Sequence, residues 1–169
     1  MKKINNIAQN LQEIIEEVYP NSLAGGCYLL GHCMSEILNR QGFVSEKVTG
    51  RLALHIKDSK NKYAQYGKFK LKGQYIGYYH TWCEVNVDNI NYIIDPSIKY
   101  NKPALKDYFG IKLNREIPEI IFTNQTSTFT HKYFRDDELE SQSLSFLNKI
   151  DSNTIEYIIT KTIENQNNI

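Results

Sequence analysis

The stretch His80-Thr81-Trp82-Cys83-Glu84-Val85-Asn86-Val87-Asp88-Asn89-Ile90-Asn91-Tyr92-Ile93-Ile94-Asp95 decides the fold. Two runs of strand-forming residues flank Asp88-Asn89, and Asn and Asp tolerate the left-handed backbone that a tight hairpin turn needs. With Asp88-Asn89 as a two-residue loop, Val87 pairs with Ile90, Trp82 with Asp95 and His80 with Ser97. His80 and Asp95 then share one face of the sheet, one diagonal step apart. A loop formed by residues 86–89 sets them directly opposite, whereas an unbulged odd loop separates their faces. Cys83, an odd number of positions from His80, faces the other side and packs there.

Upstream, Val48, Leu52, Leu54 and Ile56 alternate with Thr49, Arg51, Ala53 and His55, the period of a strand. Residues 63–71 and 75–87 read as further strands, and 92–95 as a short one ended by Pro96. Ahead of this sheet, Ile4, Ile7, Leu11, Ile14, Ile15 and Val18 recur at helical spacing until Pro20. A second helix follows Gly25-Gly26, with Cys27, Leu30, Met34, Ile37 and Leu38 on one stripe. Beyond Pro103 the spacing predicts helix over 104–109, a strand at 120–122, a loop over 123–130 and a helix from Asp136 to Ile150. A last helix is capped by Asp151-Ser152, and 165–169 fray. The expected fold class is α+β: one domain over residues 1–169, helices packed on a mostly antiparallel sheet, with a core at about 20–100 and a helical extension at about 103–169.

Cys27 sits at a helix start, where unpaired backbone N–H groups favour thiolate over thiol. The two preceding glycines leave room for a substrate carbonyl, and the Cys27 N–H is placed to meet a developing oxyanion. Thiol, imidazole and carboxylate are the components of an activated sulfur nucleophile, its base and the group that orients the base. Each residue alone has an ordinary reading: Cys27 a small core residue, His80 a structural histidine, Asp95 a strand-ending turn. Their joint placement on a helix start and one hairpin face carries the catalytic reading.

Twenty basic against nineteen acidic residues leave a net charge of +1, so no bulk field draws nucleic acid or an anionic membrane. Lys68, Lys70 and Lys72 among Tyr63, Tyr66, Tyr75, Tyr78 and Tyr79 look superficially like a nucleic-acid surface, but strand propensity accounts for the tyrosines. No run approaches a membrane span, and Met1-Lys2-Lys3 is followed by polar residues where a signal peptide has apolar ones. Three cysteines are an odd set for a disulfide framework, so reduced thiols and a cytoplasmic location are expected, with signal-independent export left open. His32, Cys33, Cys27 and Cys83 lack metal-ligand spacing, and no metal or cofactor is called for.

Taken together, Gly25-Gly26-Cys27, Gly42-Phe43-Val44, Val48-Thr49-Gly50-Arg51, His80-Thr81-Trp82-Cys83-Glu84-Val85 and Ile94-Asp95-Pro96-Ser97 resemble the transglutaminase-like branch of the papain-like cysteine enzymes. The resemblance covers about residues 20–100 and is most specific at His-x-Trp-x-Glu-Val and Asp-Pro-Ser. It implies a papain-like core in which Cys27 attacks an amide or ester carbonyl, His80 returns the proton to the leaving group and Asp95 orients His80. A thioester follows, resolved by water as proteolysis or deamidation, or by an amine as transamidation; the substrate is then a peptide or protein. Asn21, six residues before Cys27, matches the place of an oxyanion-assisting amide, although a helix cap also explains it.

Gly26, Tyr79 and Trp82 are the expected cleft residues, Trp82 by shielding the thiolate–imidazolium pair from water. Glu84 is expected as a hydrogen-bonding rim residue. Two alternatives stand beside the favoured reading: an arylamine N-acetyltransferase-like enzyme, and a catalytically silent protein-binding module of the same fold. Oligomeric state is not legible in the sequence.

Overall fold

The computed structural model describes residues 1–21 and 26–167. Its elements, in chain order, are α1 (Lys2–Val18), α2 (Cys27–Arg40), β1 (Val44–His55), β2 (Tyr63–Tyr66), β3 (Gly73–Gly77), β4 (His80–Val87) and β5 (Ile90–Asp95). There follow α3 (Ile98–Phe109), β6 (Ile121–Thr123), β7 (His131–Arg135), α4 (Asp137–Ser143), a 3₁₀ turn (Leu144–Lys149) and α5 (Ser152–Asn167). The class is α+β, with helices packed on a largely antiparallel seven-stranded sheet. Among the described residues no helix is long and apolar enough to cross a membrane, and all three cysteines are free and buried.

The hairpin forms in the expected register. Val87 faces Ile90 and Cys83 faces Ile94, so one further step sets Trp82 against Asp95. Asp88 and Asn89 both have positive φ (51° and 63°), as a two-residue turn between right-twisted strands requires. Alternation along β4 then divides the core. Cys83, Val85 and Ile94 join the cluster built by α1, α2 and α5, whereas Trp82 and Ile93 join a second cluster on the opposite face with Ile98 and Leu105 of α3.

β1 organises the sheet. One of its edges pairs with β4 over Val44–Gly50 and then with β2 over Leu52–His55. Its other edge pairs with β7 over Gly50–Leu54. β2 and β4 therefore meet end to end along β1, and His80 stands at that junction opposite Gly50. A Cβ on Gly50 would lie 2.2 Å from the Phe134 carbonyl oxygen and 3.0 Å from the Trp82 ring, so only glycine lets β7 and Trp82 close on this point. Gly31, a helical turn beyond Cys27, serves likewise. Its Cβ would come within 2.9 Å of the Thr81 methyl, and its absence lets α2 lie flush on β4.

Three expectations change. The runs 63–71 and 75–87 are not two long strands: β2 ends at Tyr66, before Gly67 with its φ of +80°, and the second run breaks at Tyr78-Tyr79, where the chain passes from β3 to β4. β3 lies parallel to β2, the exception in an otherwise antiparallel set. The segment after residue 103 is not a helical extension, because β6 and β7 enter the sheet and α5 packs on α1 and α2. The helix expected from Asp136 to Ile150 stops at Ser143 and continues as the 3₁₀ turn; Asp136 caps it by accepting from Leu139 N–H. Asp151 caps α5 as expected, accepting from Thr154 N–H at 2.8 Å. Ala24 and Gly25, and the last two of the residues expected to fray, lie outside the described residues.

Candidate active site

Asp95 ends β5 fully buried, where an unpaired carboxylate is costly. It is not unpaired. Its Oδ1 accepts from Ser97 N–H (3.0 Å) and Ser97 O–H (2.6 Å), and its Oδ2 accepts from the Tyr133 hydroxyl (2.7 Å) and lies 2.7 Å from His80 Nε2. The Asp95-Pro96-Ser97 turn is itself tied to α1, since Gln12 Nε2 donates to the Pro96 carbonyl at 2.7 Å. Burial alone raises the Asp95 carboxyl, but the neighbouring His80 cation and the hydrogen bonds from His80, Ser97 and Tyr133 outweigh it and hold the group below its ordinary value.

His80 begins β4 and is fully buried. Burial pushes its imidazolium down; the Asp95 charge and hydrogen bond, with a smaller contribution from the Cys27 side chain, reverse this and raise it well above the usual histidine value. The Trp82 ring lies nearly parallel to the imidazole at 6.4 Å, and the Tyr66 ring approaches at 5.4 Å. With Nε2 committed to Asp95, Nδ1 is the nitrogen left over. It is buried and carries no well-formed hydrogen bond among the described residues.

Cys27 opens α2, with Gly26 as its N-cap. The Gly26 carbonyl accepts from Leu30 N–H at 3.0 Å, whereas the Cys27 N–H, at the first position of the helix, has no intrahelical acceptor. The residue keeps 8% of its surface exposed. Its side chain lies close enough to three separate groups to act on their ionisation. It stabilises the His80 imidazolium. It opposes ionisation of Tyr66 and Tyr79, after burial, with Tyr79 pushed up to about 12. Cys27, at the start of α2, therefore lies near His80, at the start of β4. His80 Nδ1 forms no hydrogen bond to Cys27 among the described residues.

The other thiols are placed differently. Burial pushes Cys33 up to about 12 and raises Cys83 further, and both pack in the cluster under α2.

Tyr79 precedes His80 and stacks on Phe146 of the 3₁₀ turn (centroids 5.1 Å apart, 24° between planes), and the same Phe146 meets the edge of Tyr28 at 5.8 Å. Trp82 is 1% exposed and backs His80 from the core, with its indole N–H donating to Glu84 at 3.0 Å. Glu84 is the hydrogen-bonding residue expected of it and also accepts from Arg135.

Asn21 lines a groove of about 390 Å³ with Tyr19, Tyr100 and Tyr108, and the residue capping α2 is Gly26 and not Asn21. Among the described residues, no cluster of three or more His, Cys, Asp or Glu is arranged to hold a metal ion.

Sequence reasoning did not find Tyr133 or Phe146. The alternation of buried His131 and Tyr133 with Lys132 and Phe134 marks a strand, but five residues after a polar loop give it little weight. Phe146 lies in a 3₁₀ turn with no periodic signal.

No family model matches the chain, and no curated protein matches it. A crystal structure described only as a genomics target shares its fold: 10% identity, TM-score 0.57, covering 96% of this chain and 78% of that one.

Proposed function

We propose that the protein is a cysteine-dependent acyl-transfer enzyme with a papain-like, transglutaminase-like core, acting on amide bonds of peptides or proteins. The observation that carries this reading is the polarity of His80: one ring nitrogen is locked to a buried, four-times hydrogen-bonded Asp95, and the other is buried without a hydrogen-bond partner while the helix-start thiol of Cys27 lies near the ring. A structural histidine buried to this degree would have both nitrogens satisfied.

In the resting state the raised imidazolium and the Cys27 thiolate form an ion pair. The sulfur attacks the substrate carbonyl carbon, the C=O electrons move to oxygen, and the Cys27 N–H at the head of α2 stabilises that oxyanion. His80 gives its Nδ1 proton to the leaving nitrogen; the C–N bond breaks and a thioester remains. Water or an amine then attacks the thioester, His80 takes up its proton, and the thiolate leaves. Asp95 never dissociates from Nε2 and holds the ring in the one orientation that presents Nδ1 to sulfur.

Iodoacetamide labelling followed by peptide mass spectrometry tests this. At neutral pH Cys27 is expected to be alkylated at least about 10-fold faster than Cys33 or Cys83, and His80→Ala to remove most of that advantage. Equal rates at the three thiols, or a Cys27 rate indifferent to His80, would sink the proposal.

A further inference from the structure

A cleft of about 520 Å³ opens beside Tyr79, the residue that joins β3 to the His80 strand, and it is walled on the far side by α4 and the 3₁₀ turn. Its aromatic lining is Tyr75, Tyr78, Tyr79 and Phe146, and two of these rings are held as a platform: Tyr79 lies stacked on Phe146. Phe146 also touches Tyr28, the residue after the nucleophile, so the platform spans from the neighbour of Cys27 to the neighbour of His80. Tyr78 is 80% exposed and Tyr75 46% exposed, and they meet edge to face at 6.0 Å at the rim. Large aromatics at such exposure, contiguous with a cleft, mark a binding surface and not a core.

The charges around the cleft cancel. Arg51 and Lys68 are matched by Asp136 and Glu138. Arg51 is already engaged: its Nε lies 3.3 Å from Asp136, its guanidinium sits 4.0 Å over the Phe134 ring, and it donates to the Lys68 carbonyl at 2.8 Å. A guanidinium so committed is not offered to a substrate carboxylate, and the remaining Lys68 and Glu138, of opposite sign, leave the cleft without a net field for an anion or a cation.

Building on the acyl-transfer reading, we infer that this cleft binds the acyl-donor side of a neutral peptide and selects an aromatic side chain next to the carbonyl that Cys27 attacks. The ring packs on the Tyr79–Phe146 platform, and Tyr75 and Tyr78 close over its outer edge. Offset and edge-to-face contacts of this kind discriminate against small side chains, and burying Asp or Lys against these rings costs the charged group its hydration.

Blocked peptidyl chloromethyl ketones, in which the thiolate displaces chloride at the methylene carbon, test this directly. Four probes with Phe, Ala, Asp or Lys next to the ketone are compared by the second-order rate of Cys27 labelling. The Phe probe is expected to lead the others by about 10-fold or more, within the range a single apolar pocket supplies. Tyr78→Ala, at an exposed position whose loss leaves the core intact, should reduce that lead by about threefold. Equal rates for the four probes, a lead for Asp or Lys, or a Phe lead that Tyr78→Ala leaves unaltered would overturn the assignment.

In parallel, titration calorimetry on Cys27→Ala with the matching blocked peptide amides reads the cleft without chemistry. Tighter binding of the Phe peptide than the Ala peptide supports the assignment, and no difference overturns it. The iodoacetamide comparison separates the two ideas. His80-dependent Cys27 labelling without a Phe preference leaves the nucleophile and removes this subsite; Phe-selective binding without His80-dependent labelling does the reverse.

Discussion

The hairpin that carries His80 and Asp95 and the α4–3₁₀ segment that faces it across the cleft both attach to β1, by unlike means. The hairpin is joined by a backbone ladder running from Val44↔Asn86 to Gly50↔His80, and its end is pinned by the four hydrogen bonds on Asp95. The α4 segment hangs on side chains. Glu140 accepts from Thr49 N–H and pairs with Lys47, and Ser143 O–H donates to Thr49 Oγ1 at 3.0 Å, which in turn lies 3.0 Å from Thr81 Oγ1. His80 and Asp95 thus sit in a region held by a backbone ladder, and the cleft wall in a region held by side chains, which is expected to open more readily.

Removing Asp95 attacks the rigid side of that contrast and has the largest expected effect. Asp95→Ala leaves a buried imidazolium, the Tyr133 hydroxyl and the Ser97 N–H and O–H without their common acceptor. Breaking one partner out of a buried charged cluster costs about 3–5 kcal/mol, and denaturant unfolding should show a loss of that order. Cys27 alkylation should slow as well, because His80 then loses both its charge partner and its orientation. A stability loss below about 1 kcal/mol would mean that the hairpin end is not pinned as described and that the contrast with α4 is false.

Tyr133→Phe probes the same end more gently, through pH. The Asp95 carboxyl is lowered in the folded protein, so its contribution is present above its unfolded value of 3.8 and is lost as pH falls through the lower folded value. His80 is raised, so its contribution is present below 6.5 and is lost as pH rises through the higher folded value. The pair therefore stabilises most fully between these two values and fades on either side. Deleting the Tyr133 hydroxyl removes a hydrogen bond to the charged carboxylate, worth about 1.5–3 kcal/mol, and lets the carboxyl rise toward its ordinary value. Unfolding measured across pH should show the acid limb moving to higher pH; an unmoved acid limb would show that Tyr133 does not hold the carboxylate.

The same contrast explains what the sequence made legible. Period-2 alternation, a turn dipeptide with two left-handed residues and Asp-Pro-Ser all act through local backbone geometry, so the His80–Asp95 hairpin and its register could be read before any contact was known. Cys27 was legible for the same reason, as the first residue of a helical stripe. Tyr133 and Phe146 owe their roles to where β7 and the 3₁₀ turn are carried by tertiary packing, which no local pattern encodes. Asn21 is a different case: its spacing from Cys27 along the chain carries no geometry by itself, and residues 22–25 between them lie outside the described residues. The break at Tyr78-Tyr79 was hidden because both residues are good strand formers, and what ends the strand is the junction of β2 and β4 along β1.

Glu140→Ala addresses the hanging side and has the smallest effect on the whole molecule. The Thr49 N–H and the Lys47 amine lose their acceptor at a partly exposed site, a cost of about 1 kcal/mol. Native-state hydrogen exchange should place that loss locally. Amides over 137–149 should exchange faster, while those of β4 over 80–87 keep their protection, because the ladder to β1 does not pass through Glu140. Since Phe146 rides on this segment and covers the neighbours of Cys27 and His80, iodoacetamide should reach Cys27 a few-fold faster in Glu140→Ala than in the parent protein. Loss of protection in β4 to the same extent would show that wall and hairpin open as one unit. Access to Cys27 would then depend on opening of the sheet itself and not on the packing of a separable wall.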